Sequence, residues 1–102
     1  MQIIKKLVEM IEDELEVAEE YAKEANHYKT ENVGLANTFY EIATQEMKHV
    51  SMLHDQVATI IKRHREDHGE PPAAMLAVWE WEHEKHIEEA AEVRRLLDMY
   101  RG

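Results

Sequence analysis

The chain has 102 residues, enough for one domain whose modest core would benefit from oligomerisation. Its 22 acidic and 12 basic residues give a formal charge of -10, which argues against nucleic acid and anionic membranes as partners. The absence of cysteine excludes disulfide frameworks, thiolate zinc sites, iron–sulfur clusters and thiol nucleophiles. No apolar run approaches the ~20 residues of a membrane span and no signal-peptide pattern opens the chain, so we expect a soluble cytoplasmic protein.

The first segment, from 2 to about 28, lacks glycine and proline and predicts a helix. Apolar residues recur along it with alternating spacings of 3 and 4, and one acidic residue falls within this stripe. The stripe is Ile4, Leu7, Ile11, Glu14, Ala18, Tyr21 and Ala25. Six other acids between positions 9 and 20 lie off the stripe or at its edges, so Glu14 is the one candidate ligand there.

After a turn at 29–34, with Thr30 or Asn32 as a candidate N-cap, a second helix is predicted from about 33 to 68. Its stripe is Phe39, Ile42, Glu46, His49, Leu53, Gln56 and Ile60. Glu46 and His49 lie one turn apart, and burying both without a partner would be costly. An inward-facing Glu-x-x-His pair on a bundle helix is also how two-metal carboxylate sites are built.

Gly69, Pro71 and Pro72 mark the next turn, and a third helix is predicted from about 73 to 100. Its stripe is Leu76, Trp79, His83, His86, Ala90, Val93, Leu97 and Tyr100. Glu80 forms a second Glu-x-x-His with His83, and Glu82 reaches His86 at i, i+4. Both histidines are candidate metal ligands, although a hydrogen-bonded structural role is equally open.

Short turns make successive helices antiparallel neighbours, so distance from a turn predicts height in the bundle. Glu14 lies about 17 residues before the first turn and Glu46 about 15 after it, which places them at one level. His49 lies about 21 residues before the second turn, whereas His83 and His86 lie about 12 to 15 after it. We therefore expect these two histidines one or two turns away from the level of Glu46.

Glu14 followed by Tyr21, together with the run from Ala43 to Leu53, resembles the first two helices of the ferritin-like superfamily, nearest to its rubrerythrin and bacterioferritin branches. Those families carry a glutamate with an aromatic residue seven positions later, then an A-x-x-E-x-x-H-x-x-x-L run. The resemblance covers about residues 4 to 60. It implies that Glu14 is a terminal carboxylate, Glu46 a metal-bridging carboxylate and His49 a nitrogen ligand.

The superfamily uses four helices, in two halves that each carry this pair of motifs. The sequence of this chain predicts an all-α, antiparallel three-helix fold in which only one half is convincing. Two chains could complete a four-helix-type bundle by dimerisation, as similarly short encapsulated ferritin-like proteins do, or form a higher homo-oligomer. Alternatively, Glu80 or Glu82 with His83 and His86 could complete the site within one chain. The mismatch in height favours the dimer, which leaves the third-helix histidines as an accessory metal site or as core.

Oxygen-rich sites with one imidazole per metal suit iron, with manganese as the alternative. By the resemblance, a pair of iron ions would support ferroxidase activity toward dioxygen or peroxide, in iron storage or oxidant defence. The main alternative is a metal-free helical interaction module whose buried Glu and His residues pair with one another. A zinc hydrolase is disfavoured, because Glu-x-x-His is not the His-Glu-x-x-His arrangement that places two imidazoles on zinc.

Overall fold

The structure, a computed structural model, describes residues 2–102. It contains three helices, α1 (Gln2–Tyr28), α2 (Val33–His68) and α3 (Ala73–Arg101), and no strand within those residues. The all-helical prediction is confirmed, and the predicted helix bounds agree with the observed ones to within one residue. In residues 2–102, none of the helices is both long enough and apolar enough to cross a membrane.

Local chemistry accounts for the positions of both turns. The Asn32 Oδ1 accepts a hydrogen bond of 3.1 Å from the Leu35 N–H, which caps the first turn of α2. Gly69 ends α2 at a φ of 78°, and its N–H donates to the Arg65 carbonyl at 3.1 Å. This backbone conformation is open to glycine and strained for other residues. Pro72 then precedes the first turn of α3.

The helices form an elongated body of 55 × 19 × 18 Å. Two groups of buried side chains make up the core, and α1 contributes to both. The first group is Ile4, Val8, Ile11, Leu15, Val57, Ile61 and Ala90. The second group is Ala18, Ala22, Ala43, Val93, Leu96 and Leu97. Met47 packs against both, so the level of Met47 on α2 marks their junction.

The predicted stripes need correction on α1 and α2. On α1 the predicted positions Ile4, Ile11, Ala18 and Ala25 are buried. Val8, Leu15 and Ala22 are buried in place of Leu7, Glu14 and Tyr21, which are only half-buried. On α2 the buried seam is displaced by one residue and runs Ala36, Ala43, Val57 and Ile61, with Met47, Val50 and His54 half-buried between them. His49 and Gln56 are exposed. Alanines at the centre of the seam let the helices approach closely, and this leaves the larger polar side chains at its edge.

On α3 the predicted stripe is largely confirmed. His86, Ala90, Val93 and Leu97 are buried, and Leu96 is buried beside them. Contacts between helices place Tyr40 against Tyr100, with ring centroids 4.9 Å apart. The Asn26 side-chain amide donates to the Leu96 carbonyl at 2.9 Å, which ties α1 to α3 near their last turns.

Candidate metal centre

Glu14 of α1 meets Glu46 and His49 of α2 at the junction of the two core groups. The His49 Nδ1 lies 3.5 Å from the Glu14 Oε2 and 3.7 Å from the Glu46 Oε2. One ligand atom from each of the three residues falls within 4.8 Å of the others. We call these three residues the α1–α2 cluster. The count from the first turn therefore predicted correctly that Glu14 and Glu46 lie at one level.

The α1–α2 cluster lies at the edge of the helix pair, with one side toward solvent. The side chains of Glu14, Glu46 and His49 are 31%, 20% and 51% exposed. Glu46 and His49 share a face because they are one helical turn apart on α2. The displaced seam explains this exposure. Each of the three ligands comes one residue before a seam residue, and consecutive residues point about 100° apart around a helix.

Glu14 carries a polar atom without a hydrogen bond. Its Oε2 is buried and has no hydrogen-bond partner, although the His49 Nδ1 lies 3.5 Å away. A buried carboxylate oxygen without a partner costs free energy, and a cation would remove that cost. Two carboxylates and one imidazole are a donor set that suits iron, manganese or zinc. The residues present therefore fit a divalent metal.

Apolar side chains are exposed along the helix faces that carry the α1–α2 cluster. Met10 and Val17 lie one turn on either side of Glu14 on α1, and both are exposed. Met52 lies one turn after His49 on α2 and is also exposed. We call Met10, Val17 and Met52 the apolar rim. Tyr21, one turn beyond Val17, contacts Phe39 with ring centroids 5.7 Å apart.

The predicted ligands on α3 lie elsewhere. The His83 Nε2 lies 2.8 Å from the Nε2 of His54, a residue more than one turn beyond His49 on α2. This is the offset in height that the count from the second turn predicts. The His83 ring also stacks on Trp79, with centroids 5.1 Å apart. Burial, followed by the nearby His54, lowers the pKa of His83, which favours its neutral form.

His86 and Glu80 have opposite environments. His86 is 5% exposed, whereas Glu80 is exposed and belongs to neither of the ligand groups that residues 2–102 form. His86 instead gathers with Glu82 and with Glu12 of α1, again with ligand atoms within 4.8 Å. We call Glu12, Glu82 and His86 the α1–α3 cluster. The spacing of Glu82 and His86 on α3 predicted that these two residues lie together. Glu12 was predicted to be a surface charge, because no short turn fixes the height of α1 against α3.

His54 is the other residue that sequence analysis did not single out. It follows the predicted stripe residue Leu53, and only the one-residue displacement of the seam brings it inward. His54 and His83 line a cavity of about 230 Å³ between α2 and α3, together with Ser51, Asp55, His86 and Arg94.

Comparison with known proteins does not place the chain in a family. No protein-family model matches it, and no curated protein or solved structure matches it significantly. The ferritin-like resemblance therefore remains a prediction from the motifs, and function has to be argued from the clusters themselves.

Proposed function

We propose that two copies of this antiparallel three-helix chain associate through the α1–α2 cluster and build a carboxylate-rich site for two iron ions. The observation that carries the proposal is the convergence of three ligand atoms within 4.8 Å at the level of the core junction. Two copies related by a two-fold axis would supply four carboxylates and two imidazoles, the set found in two-metal helical bundles. The dimer would then be a four-helix-type bundle around that site.

Two further features support association around the cluster. The apolar rim of Met10, Val17 and Met52 offers exposed side chains next to the ligands, and a second copy would bury them. The three ligands face outward on one side, so they are within reach of a second chain. Within residues 2–102, α3 contributes no ligand atom to this cluster, which favours a dimer over completion of the site by the third helix.

The proposed activity is oxidation of Fe(II). Two Fe(II) substrate ions would each lose one electron, and dioxygen would take up the two electrons and two protons to give hydrogen peroxide. Iron supplies the one-electron redox step, and the chain supplies the ligands. By the resemblance, Glu46 would bridge the two ions, Glu14 would bind one ion terminally and His49 would donate a nitrogen. Such an activity would serve iron storage or oxidant defence, and manganese is the alternative metal.

The metal-free interaction module is the second candidate, and the geometry of Glu14 disfavours it. In such a module the buried carboxylates and imidazoles should hydrogen-bond with one another. The Glu14 Oε2 approaches the His49 Nδ1 at 3.5 Å but makes no hydrogen bond. The same atom would be satisfied by a cation.

The test is an anaerobic Fe(II) titration of metal-stripped protein, followed by exposure to air and absorbance measurement. We expect saturation at about one iron per chain, followed by rapid oxidation, as the ligand set of a shared two-metal site requires. Glu46→Gln should weaken Fe(II) binding by about tenfold or more, because it removes one charged ligand without changing side-chain size.

Glu80→Gln is the matched control. Glu80 also belongs to a Glu-x-x-His pair but is exposed and outside both clusters, so this variant should bind and oxidise iron like the parent. Equal Fe(II) affinity in Glu46→Gln and Glu80→Gln would refute the proposed site. No saturable binding in a correctly folded parent would leave the metal-free interaction module.

A further inference from the structure

His86 is a buried imidazole whose two ring nitrogens have no hydrogen-bond partner. The residue is 5% exposed, and both its Nδ1 and Nε2 atoms are buried. A buried neutral imidazole normally donates from one nitrogen and accepts at the other, and leaving both unpaired is costly. The proposed iron site does not use this residue, so its environment needs a separate explanation.

We propose that Glu12, Glu82 and His86 form a second metal site, which binds one divalent transition-metal ion of the Zn²⁺ class. This inference does not depend on the iron site. It rests on three side chains from two helices that gather their ligand atoms within 4.8 Å, one of them the unpaired His86.

The arrangement of Glu82 and His86 on α3 favours joint coordination. The two residues are four positions apart, and the Glu82 Oε2 lies 4.0 Å from the His86 Nε2. The same Glu82 oxygen is buried and has no hydrogen-bond partner. Two orphaned polar atoms therefore point into one space, and a single cation between them would satisfy both.

Glu12 supplies the third ligand from α1. Zn²⁺ bonds to carboxylate oxygen and imidazole nitrogen are about 2.0–2.2 Å long, so tetrahedral ligand atoms lie about 3.5 Å apart. Closing from a separation of up to 4.8 Å requires movements of about 1 Å, which glutamate torsions can provide. The fourth position would be left for water, since three protein ligands with one open position are typical of reactive zinc sites.

The chemistry of His86 selects the class of metal. His86 offers an imidazole nitrogen beside the carboxylate oxygens of Glu12 and Glu82. An imidazole ligand disfavours Ca²⁺ and Mg²⁺, which prefer oxygen alone. Zn²⁺ accepts a mixture of carboxylate and imidazole ligands.

The ammonium group of Lys85 would compete with a metal ion for the carboxylates of Glu12 and Glu82. Its Nζ lies 3.7 Å from the Glu12 Oε1 and 3.8 Å from the Glu82 Oε2, so in the absence of metal it partly balances the two carboxylates. The same ammonium lies over the Trp81 ring, 4.3 Å from its centroid, at the surface of the helix pair. Lys85 is partly exposed and can swing toward solvent when a metal enters.

A cleft between α1 and α3 leads to the cluster. It has a volume of about 450 Å³, and Glu12 and Glu82 line it together with Val8 and Trp79. Glu9 also lines this cleft, so that its lining has three acids, and Lys5 is the base among them. The resulting negative potential would attract a cation to the mouth of the cleft.

The two clusters lie on opposite edges of α1. Glu12 and Glu14 are two residues apart, which turns their side chains about 200° from each other around the helix. Glu14 consequently faces the α2 side and Glu12 the α3 side, as the contacts with His49 and Lys85 show. Each site can therefore be removed by mutation without touching a ligand of the other.

The test uses a Glu14→Gln/Glu46→Gln double variant, in which the α1–α2 cluster is disabled. Co²⁺ is titrated as a spectroscopic substitute for Zn²⁺, with visible absorbance as the readout and Zn²⁺ displacement as the check. We expect about one Co²⁺ per chain with the absorbance of a low-coordinate nitrogen–oxygen site. Adding Glu82→Gln should weaken binding about tenfold or more, whereas adding Glu84→Gln, at an exposed position on α3, should not.

A Lys85→Met variant should bind Co²⁺ more tightly than the protein that keeps Lys85. Removing a positive charge less than 4 Å from two ligands should tighten Co²⁺ binding severalfold. Two results would overturn the proposal: no Co²⁺ bound by a folded Glu14→Gln/Glu46→Gln variant, or equal affinity after Glu82→Gln is added. Absence of iron oxidation in the parent, together with Co²⁺ binding by the double variant, would leave this second site standing while the proposed function falls.

Discussion

Fully buried alanines govern how closely α1 and α2 approach each other. Ala18, Ala22 and Ala25 of α1, and Ala36 and Ala43 of α2, have no exposed surface. A methyl group is the largest side chain that such a close approach admits, because protein interiors are packed near crystal density. The small seam residues thereby push Glu14 and Glu46 to the edge of the pair, where a metal from solvent can reach them.

Enlarging one of these alanines should destabilise the fold. Ala22→Leu adds three carbon atoms to a closely packed seam, and we expect a loss of about 1–3 kcal/mol in the free energy of unfolding. Ala91→Leu, at an exposed position on α3, should change it by less than about 0.5 kcal/mol. Urea denaturation followed by circular dichroism measures both. Equal stability of the two variants would contradict the close seam.

Protonation of His83 should destabilise the metal-free protein. Burial and the His54 ring lower its pKa below the ordinary 6.5, while Glu84 opposes the shift. The unfolded chain therefore binds the proton more readily than the folded one. The contribution of neutral His83 to the free energy of unfolding is fully present above pH 6.5. It should be lost as the pH drops from there toward the lowered pKa of His83 in the folded state.

Urea midpoints of chelator-treated protein at about pH 7.5 and about pH 5.5 test this pH dependence. His83→Gln should lose less stability than the parent over this interval, because one of the groups that bind protons on unfolding is gone. His68→Gln, at an exposed position near the end of α2, serves as the control and should behave like the parent. A parent whose stability does not fall toward pH 5.5 would refute the role of the His54–His83 pair.

At the scale of the helices, the turn between α2 and α3 depends on one glycine. Gly69 adopts φ 78° and ψ -164°, a region that is essentially restricted to glycine. No atom would obstruct an added Cβ there, so the cost of Gly69→Ala is conformational and should be about 1–3 kcal/mol. Thermal unfolding of the variant against the parent measures this cost.

Gly34→Ala is the matched comparison and should have the opposite sign. Gly34 is exposed in the first turn of α2, and an added Cβ would meet only the Asn32 Oδ1 at an ordinary 3.8 Å. Alanine is favoured over glycine in a helix by about 1 kcal/mol, so this variant should gain stability. If both glycine variants lost stability equally, the effect would not come from the backbone conformation of Gly69.

The sequence predicted the helix bounds well because strong local signals mark both turns. Asn32 caps α2, Gly69 terminates it, and a pair of prolines separates it from α3. The facing of α2 was harder to predict. The series Glu46, His49 and Leu53 and the series Met47, Val50 and His54 have the same 3–4 spacing, one residue apart. Only the packing against the small residues of α1 selects the second series for the seam.

The same reasoning explains which ligands could be predicted. Glu14 and Glu46 were matched because a short turn joins their helices and fixes their relative height. The pairing of Glu12 with Glu82 depends on how α1 packs against α3, and no turn connects those two helices directly. The one local indication of the α1–α3 cluster in the sequence was an acid four positions before a histidine. It identified Glu82 and His86 but not the ligand on α1.

At the scale of the whole molecule, the negative charge of the chain opposes dimerisation. Each chain carries a formal charge of -10, so two copies repel one another, and the repulsion decreases as salt screens it. The ligands of the α1–α2 cluster bring four of those carboxylates together in the proposed dimer. Divalent ions bound there would offset the repulsion at its closest point, and this couples dimerisation to metal binding.

We therefore expect metal-stripped protein to be mainly monomeric at low salt and to dimerise when Fe(II) is added anaerobically. Sedimentation velocity measures the change directly. Val17→Lys places a cation in the apolar rim, so it should weaken the Fe(II)-dependent dimer by about tenfold or more through desolvation of the new charge. Val78→Lys makes the same change at an exposed position on α3 and should dimerise like the parent. A parent that stays monomeric when saturated with Fe(II) would show that one chain suffices, and equal dimerisation by the two lysine variants would place the interface elsewhere.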